Sequence, residues 1–273
     1  MIGVRTGRVW RLAVAWLCLV ADVAVADAAG PERLSAHLAR GDADPARRHV
    51  AGRLPARVAR GLGRDLLGLT APGPLAALAT GGALAALARP WDTRVRGWHA
   101  RQPALRALLA ADNVWAESSV LLPVVAGSWA VARIGGQPAA AATATRTLRA
   151  VVVASLVVGP VKAMVGRQRP DGTDHRSFPS GHSANAMAVA SSVVSGHGPR
   201  FGAAVYLSAA TVPLARLHAN RHYLSDVLAG AAVGTAAGWA VAASAPAGGH
   251  PVSLACRPAA GGGVLAVVWL IDR

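Results

Sequence analysis

The sequence predicts an all-α bundle, embedded in a membrane, with a short β-hairpin at its C-terminal end. Three observations predict it. Several apolar segments of helical length follow one another, rich in Ala and without the period-two alternation of a half-buried strand. Hydrophobic residues make up 53% of the 273-residue chain, with eight Trp among few aromatics, and Trp is enriched at membrane–water interfaces. After Pro246 and Gly248-Gly249 the pattern changes to two short apolar runs separated by Pro258 and Gly261-Gly262-Gly263, the punctuation of a hairpin.

Residues 1–26 read as an export signal. Arg5, Arg8 and Arg11 lead into an apolar run from Leu12, and Ala24-Val25-Ala26 offers a small-residue cleavage site. An uncleaved anchor is the alternative. Residues 27–64 are polar, basic and broken by Gly and Pro, a surface segment with short helical pieces. The bundle is expected over residues 65–245. Pro72-Gly73-Pro74 should split its first apolar stretch. That leaves Leu75 to Ala88, short of the roughly 20 residues that span a bilayer. Residues 89–113 read as a charged connection. Helices are expected at Val114–Ala132, Leu148–Val165, Ser183–Ser195, Phe201–Ala215 and Asp226–Ala245. The small residues from Ala229 to Gly238 allow one of them to pack closely. Residues 246–273 form the tail with the hairpin.

Five alternating spans would bring the ends at 165, 183 and 216–226 to one face. With an exported N-terminus, that face is the exported one; if residues 75–88 also span, it is the cytoplasmic one. Arg residues lie on both sides, so loop charge does not decide. A soluble periplasmic bundle is the competing arrangement.

The formal charge of +15 suits anionic partners. No recognition fold or aromatic-basic platform points to nucleic acid. Every cation but one is Arg; the single Lys is Lys162. Cys18 lies in the leader and Cys256 in the tail, so no disulfide framework exists and Cys256 reads as a small apolar filler.

The chemistry is concentrated between Lys162 and Asp226, in three blocks. The first is Lys162-Ala-Met-Val-Gly-Arg-Gln-Arg169-Pro170. Lys162 and Arg169 are seven residues apart, two helical turns, and so would point the same way, with Pro170 ending the helix. Two cations aimed at one spot suit a phosphate dianion. Arg167, on another face, is expected to meet solvent or headgroups. The second block is Pro179-Ser180-Gly181-His182. Ser180 can cap a helix there, and the amides around Gly181 make an anion site backed by the helix dipole. In the third block Arg216 closes a helix, His222 follows in the turn, and Asp226 stands four residues on. A carboxylate there can hold one ring nitrogen and leave the other free to attack phosphorus. His175 and His218 fall outside the blocks and read as supporting or surface residues. Asp171, Asp174 and His175 do not have a diagnostic metal spacing.

The three blocks resemble the signature motifs of the type 2 phosphatidic acid phosphatase superfamily, which also holds bacterial acid phosphatases and vanadium haloperoxidases. One position departs: Ala215 stands where the family has Ser. A lost neutral hydrogen bond costs on the order of 1 kcal/mol, which leaves the expected chemistry intact. The resemblance implies His222 as the nucleophile that forms a phosphohistidine, with Asp226 orienting it. It implies His182 as the acid for the leaving group. Lys162, Arg169, Ser180, Gly181 and Arg216 would bind phosphate, with no metal or other cofactor. The expected activity is hydrolysis of a lipid phosphate or diphosphate at the exported face of the inner membrane. A soluble periplasmic acid phosphatase is the alternative. A vanadium haloperoxidase and a non-catalytic membrane protein are further readings.

Overall fold

A computed structural model describes residues 54–99, 109, 115–197 and 199–244, and the backbone of two stretches in the tail. The expected export signal and most of the polar segment after it lie outside the described residues. Among these residues the architecture is a helical bundle: α1 (Leu54–Gly68), α2 (Pro72–Ala88), a 3-10 turn (Arg89–Trp91), α3 (Asp92–His99), α4 (Ser118–Ile134), α5 (Pro138–Val165), α6 (Gly181–His197), α7 (Pro199–His218) and α8 (Leu224–Ser244).

The tail contains two seven-residue strand stretches, Val252–Pro258 and Val264–Leu270, at the level of backbone only. They do not establish the expected hairpin as a part of the fold.

The small residues of α8 make it the centre of the bundle. It packs chiefly on α6 and α2, then on α5 and α1. A Cβ placed on Gly230 would lie 2.2 Å from the Ser180 carbonyl oxygen, on Gly234 2.0 Å from that of Ala184, and on Gly238 2.3 Å from Ser191 Cβ. The three glycines, four residues apart, line one stripe of the helix. They let α6 approach to backbone distance. On the other side Gly81 of α2 meets Ala232 in the same way, with 2.0 Å between its virtual Cβ and that of Ala232. The remaining core is mostly Ala and Val, with Trp115 and Leu121 the bulkiest fully buried apolar side chains.

Several helix limits differ from expectation for local reasons. The first apolar stretch is split as expected, by a break over residues 69–71, but Pro72 itself stands in the first turn of α2, where a missing N–H costs nothing. Residues 89–113 are not all connection, since the 3-10 turn and α3 fall there. Helix α5 begins ten residues before Leu148, with Pro138 in its first turn; the Ala/Thr-rich stretch 139–147 is too weakly apolar to show a helical face. Helix α5 ends at Val165 rather than at Pro170. Gly166 adopts φ 56° and ψ 29°, and its N–H bonds the Lys162 carbonyl at 3.1 Å, a left-handed C-terminal stop suited to Gly.

By length and composition, two helices among the described residues could cross a membrane, α5 and α8, or three if α1 and α2, bent by 61°, count as one broken span. Helix α4 is apolar but has only 17 residues. Nevertheless the ends of α5 and α7 and the starts of α6 and α8 share one end of the bundle. There the three sequence blocks meet.

Candidate active site

A cavity of about 410 Å³ opens at that end. Lys162 comes from the last turn of α5, His182 from the first turn of α6 and Arg216 from the last turn of α7. Arg169 and Arg176 come from the α5–α6 loop, and Arg221 and His222 from the α7–α8 loop. Five cations, Lys162, Arg169, Arg176, Arg216 and Arg221, face it, against two carboxylates, Glu117 and Asp174. Such a balance selects an anion.

The expected neighbours Lys162 and Arg169 do meet at the cavity, but not as two turns of one helix. Arg169 lies beyond the stop at Gly166 and is carried by the loop. Asp174 accepts from Arg169 Nε at 2.7 Å and from the Arg176 amide at 2.8 Å. The Arg169 amide bonds the Asp174 carbonyl at 2.9 Å. Arg169 and the Arg176 amide hold the Asp174 carboxyl below the ordinary carboxylate range despite its partial burial. Lys162 Nζ donates to the Arg176 carbonyl at 2.6 Å, so the ammonium ties the same loop to α5. Asp171 accepts from Thr173 and from Arg221 Nη1 at 2.9 Å. These acids anchor cations; no group of three metal-ligating side chains exists among the described residues.

Ser180 and Gly181 lie as expected at the start of α6. Ser180 is fully buried and its Oγ accepts from the Ser183 amide at 3.4 Å, a long helix cap. The Ser180 amide donates to the Asp226 carbonyl at 2.9 Å. Gly181 lines the cavity, where its missing side chain keeps the backbone accessible.

His222 differs in one respect from the triad expectation. Its Nδ1 lies 2.7 Å from the Ser177 carbonyl oxygen and 3.8 Å from Asp226 Oδ2. A carbonyl can only accept, so Nδ1 carries the proton and Nε2 keeps its lone pair. Asp226 does not hold the ring directly. It holds what holds the ring: its Oδ2 accepts from Ser177 Oγ and, at 2.8 Å, from the Tyr223 amide. Burial pushes the His222 imidazole down to about 4, with Lys162, Arg216 and Arg169 pushing the same way against the Asp226 carboxylate. The ring is therefore neutral at pH 7.

Arg167 was expected at solvent or headgroups and is not there. It donates to Asp226 Oδ1 and Ser225 Oγ at 2.7 Å each and to Asp92 Oδ2 at 2.8 Å. Its guanidinium stacks 4.0 Å over the Tyr223 ring. Asp92 also receives the Ser225 amide at 2.9 Å. Arg167 thus sits between two buried carboxylates behind the histidine. The fork geometry of Arg suits it for that place, and Lys would not fill it. Nothing in its position along the chain distinguished it from a surface Arg.

Sequence reasoning also missed Ser177, Asp92, Arg176, Arg221 and Glu117. Glu117 Oε2 lies 2.8 Å from His182 Nε2. Ala215 is fully buried and does not line the cavity. His175 Nδ1 contacts the Gly166 carbonyl at 3.3 Å on the surface.

The chain is similar to known proteins over the stretch that carries the three sequence blocks. A family sequence model described as the PAP2 superfamily matches residues 143–248. A curated relative, the lipid A 1-phosphatase of Porphyromonas gingivalis, is 44% identical over 85 residues. The match covers 30% of this chain and only 19% of that protein. Among solved structures, the transmembrane PAP2-type phosphatidylglycerolphosphate phosphatase of Bacillus subtilis superposes with a TM-score of 0.50 at 24% identity, covering 62% of this chain and 93% of that one. Aquifex aeolicus LpxE gives 0.46 at 21% identity, with 54% and 92% covered. All three sequence blocks and the helices α6, α7 and α8 lie within the matched residues, and over that stretch this chain is similar to the PAP2 superfamily.

Proposed function

We propose that the chain is a metal-independent phosphatase that hydrolyses a lipid phosphate or diphosphate through a phosphohistidine on His222. The observation that carries this is the contact between His222 Nδ1 and the Ser177 carbonyl oxygen, which fixes the tautomer. The Nδ1–H is engaged by the Ser177 carbonyl at 2.7 Å, which leaves the Nε2 lone pair on a neutral ring that lines a cation-rich cavity.

In the first step Nε2 attacks phosphorus and an N–P bond forms as the bond to the leaving oxygen breaks. His182 gives that oxygen its proton. Lys162, Arg169 and Arg216, with the amides at the start of α6, stabilise the charge on the equatorial oxygens. In the second step water attacks phosphorus, its proton passes to His182, the N–P bond breaks and inorganic phosphate leaves. Asp226 stabilises the charge that His222 gains, acting from 3.8 Å.

The lipid class rests on the relative, which acts on lipid A at the 1-phosphate, and on α5 and α8, which are long and apolar enough to cross a membrane. The Arg-led apolar N-terminus favours an exported site. The test is phosphate release by purified protein in EDTA, comparing long-chain phosphatidate in micelles with a small soluble phosphomonoester, with His222→Ala as blank. Preference for the lipid supports the proposal. Equal or faster turnover of the small ester moves the reading to a soluble broad-specificity acid phosphatase. For sidedness, intact spheroplasts should release phosphate from a membrane-impermeant ester; hydrolysis only after lysis would place the site at the cytoplasmic face.

A further inference from the structure

The three sequence blocks account for every proposed reacting group but leave one carboxylate at the cavity unused. Glu117 precedes α4, and thus lies outside the residues that the family model matches. Its Oε2 is 2.8 Å from His182 Nε2, and its side chain is half-exposed at the cavity mouth.

Its placement is built rather than incidental. Asn185 lies three residues after His182 on α6, on the same face one turn on. Its Nδ2 donates to the Ala116 carbonyl at 3.1 Å and to Ser118 Oγ at 2.9 Å. Asn185 thereby grips the chain on both sides of Glu117. Trp115 and Ala116 are buried beside this grip. One helix therefore carries the histidine and the clamp that sets a carboxylate against it.

We infer that Glu117 is a positioning residue for leaving-group protonation: seated by Asn185, it accepts the Nε2–H of His182 and holds the ring as the charged, aimed donor. Elsewhere the cavity is lined by Lys162, Arg169, Arg176, Arg216 and Arg221, all of which disfavour a positive imidazole. A carboxylate at hydrogen-bond distance offsets them. With Nε2–H held by the carboxylate, the imidazolium gives its other proton, on Nδ1, to the oxygen released from phosphorus, and a proton of the attacking water later restores it. The carboxylate stays ionised throughout. The inference rests on the proposed role of His182 as the acid.

That role has a signature that general damage to the site lacks. An alkyl phosphate must leave as an alcohol and needs the proton. p-Nitrophenyl phosphate leaves as a stable phenolate and does not. The value of kcat/KM reports steps up to formation of the phosphoenzyme, so the comparison isolates this proton transfer. The ratio of kcat/KM for p-nitrophenyl phosphate to that for a short alkyl phosphate is also independent of the fraction of active protein. In Glu117→Gln this ratio should rise by about tenfold or more, as general acids contribute roughly 10²–10⁴-fold. In Asn185→Ala it should rise in the same direction by less. His182→Ala sets the upper bound. An unchanged ratio in Glu117→Gln, whether both substrates fall together or neither falls, overturns the inference. An unchanged ratio in His182→Ala overturns the role assigned to the histidine itself. The two failures are thus distinguishable.

Discussion

The Nδ1 of His222 is 2.7 Å from the main-chain oxygen of Ser177, while the Asp226 carboxylate stands 3.8 Å away. The Asp226 carboxylate accepts instead from the side chain of Ser177 and the amide of Tyr223. A main-chain acceptor therefore sets the tautomer, and the acid fixes that acceptor. His222→Ala should abolish phosphate release, on the order of 10³-fold or more in kcat, as loss of a nucleophile does. Ser177→Ala keeps the carbonyl and should cost much less, about tenfold. A stopped assay for inorganic phosphate, run beside thermal melts of both variants, checks the contrast.

The depressed imidazole sets a pH dependence. His222 titrates near 4 in the fold against an ordinary value of 6.5. The free enzyme should keep an attacking lone pair down to about pH 4, so the acid limb of kcat/KM should lie near there rather than near 6.5. The stability effect has the same direction. Between 6.5 and 4 the unfolded chain binds a proton that the native one refuses, so stability falls as pH drops through that window. A pH series of kcat/KM and of melting temperature, in one detergent, measures both. An acid limb at 6 or above would contradict the buried, neutral ring.

Arg167 should behave as a structural ion, not as a phosphate ligand. Its removal leaves Asp226 and Asp92, both buried, without their shared cation. Breaking a buried pair typically costs about 3–5 kcal/mol. The Arg167 side chain is 22% exposed, so the lower part of that range, about 3 kcal/mol, is expected for Arg167→Ala. Arg216→Ala, by contrast, should weaken phosphate binding with a smaller change in melting temperature. Vanadate or phosphate inhibition constants, set against denaturation curves, separate the two.

The glycine stripe of α8 gives a graded test of packing. A methyl at Gly230 or Gly234 would lie about 2 Å from a carbonyl oxygen of Ser180 or Ala184, and neither backbone can yield cheaply. Gly234→Ala should destabilise by about 1–3 kcal/mol, the range for overpacking. Gly230→Ala should in addition depress activity, because the residue it displaces opens the anion site. Gly82, inside α2, has nothing within 4 Å of its virtual Cβ. There Gly→Ala should stabilise by about 0.5–1 kcal/mol through helix propensity. Melts of the three variants, with phosphate release for Gly230→Ala, decide it.

The sequence alone determined the helical class, because long Ala-rich apolar segments without alternation admit little else. It also singled out Lys162, Arg169, Gly181, His182, Arg216 and His222, which the fold brings to one cavity, and Ser180, which is buried at the start of α6 and does not line it. Each of these stands at a chain feature that can be read locally: a helix end, a cap, a turn. The close packing along Ala229 to Gly238 was legible for the same reason. The tertiary structure alone decided who supports whom. Arg167 and Asp92 are 75 residues apart and Glu117 and His182 are 65 apart, and no local pattern marks either pair. The Ser177 carbonyl that accepts the hydrogen bond from His222 Nδ1 is main chain, which every residue possesses, so no residue type announces it. Span number was left open by the sequence for a related reason. Ala makes a segment apolar enough to be buried against another helix without making it apolar enough to face lipid, and only packing distinguishes the two.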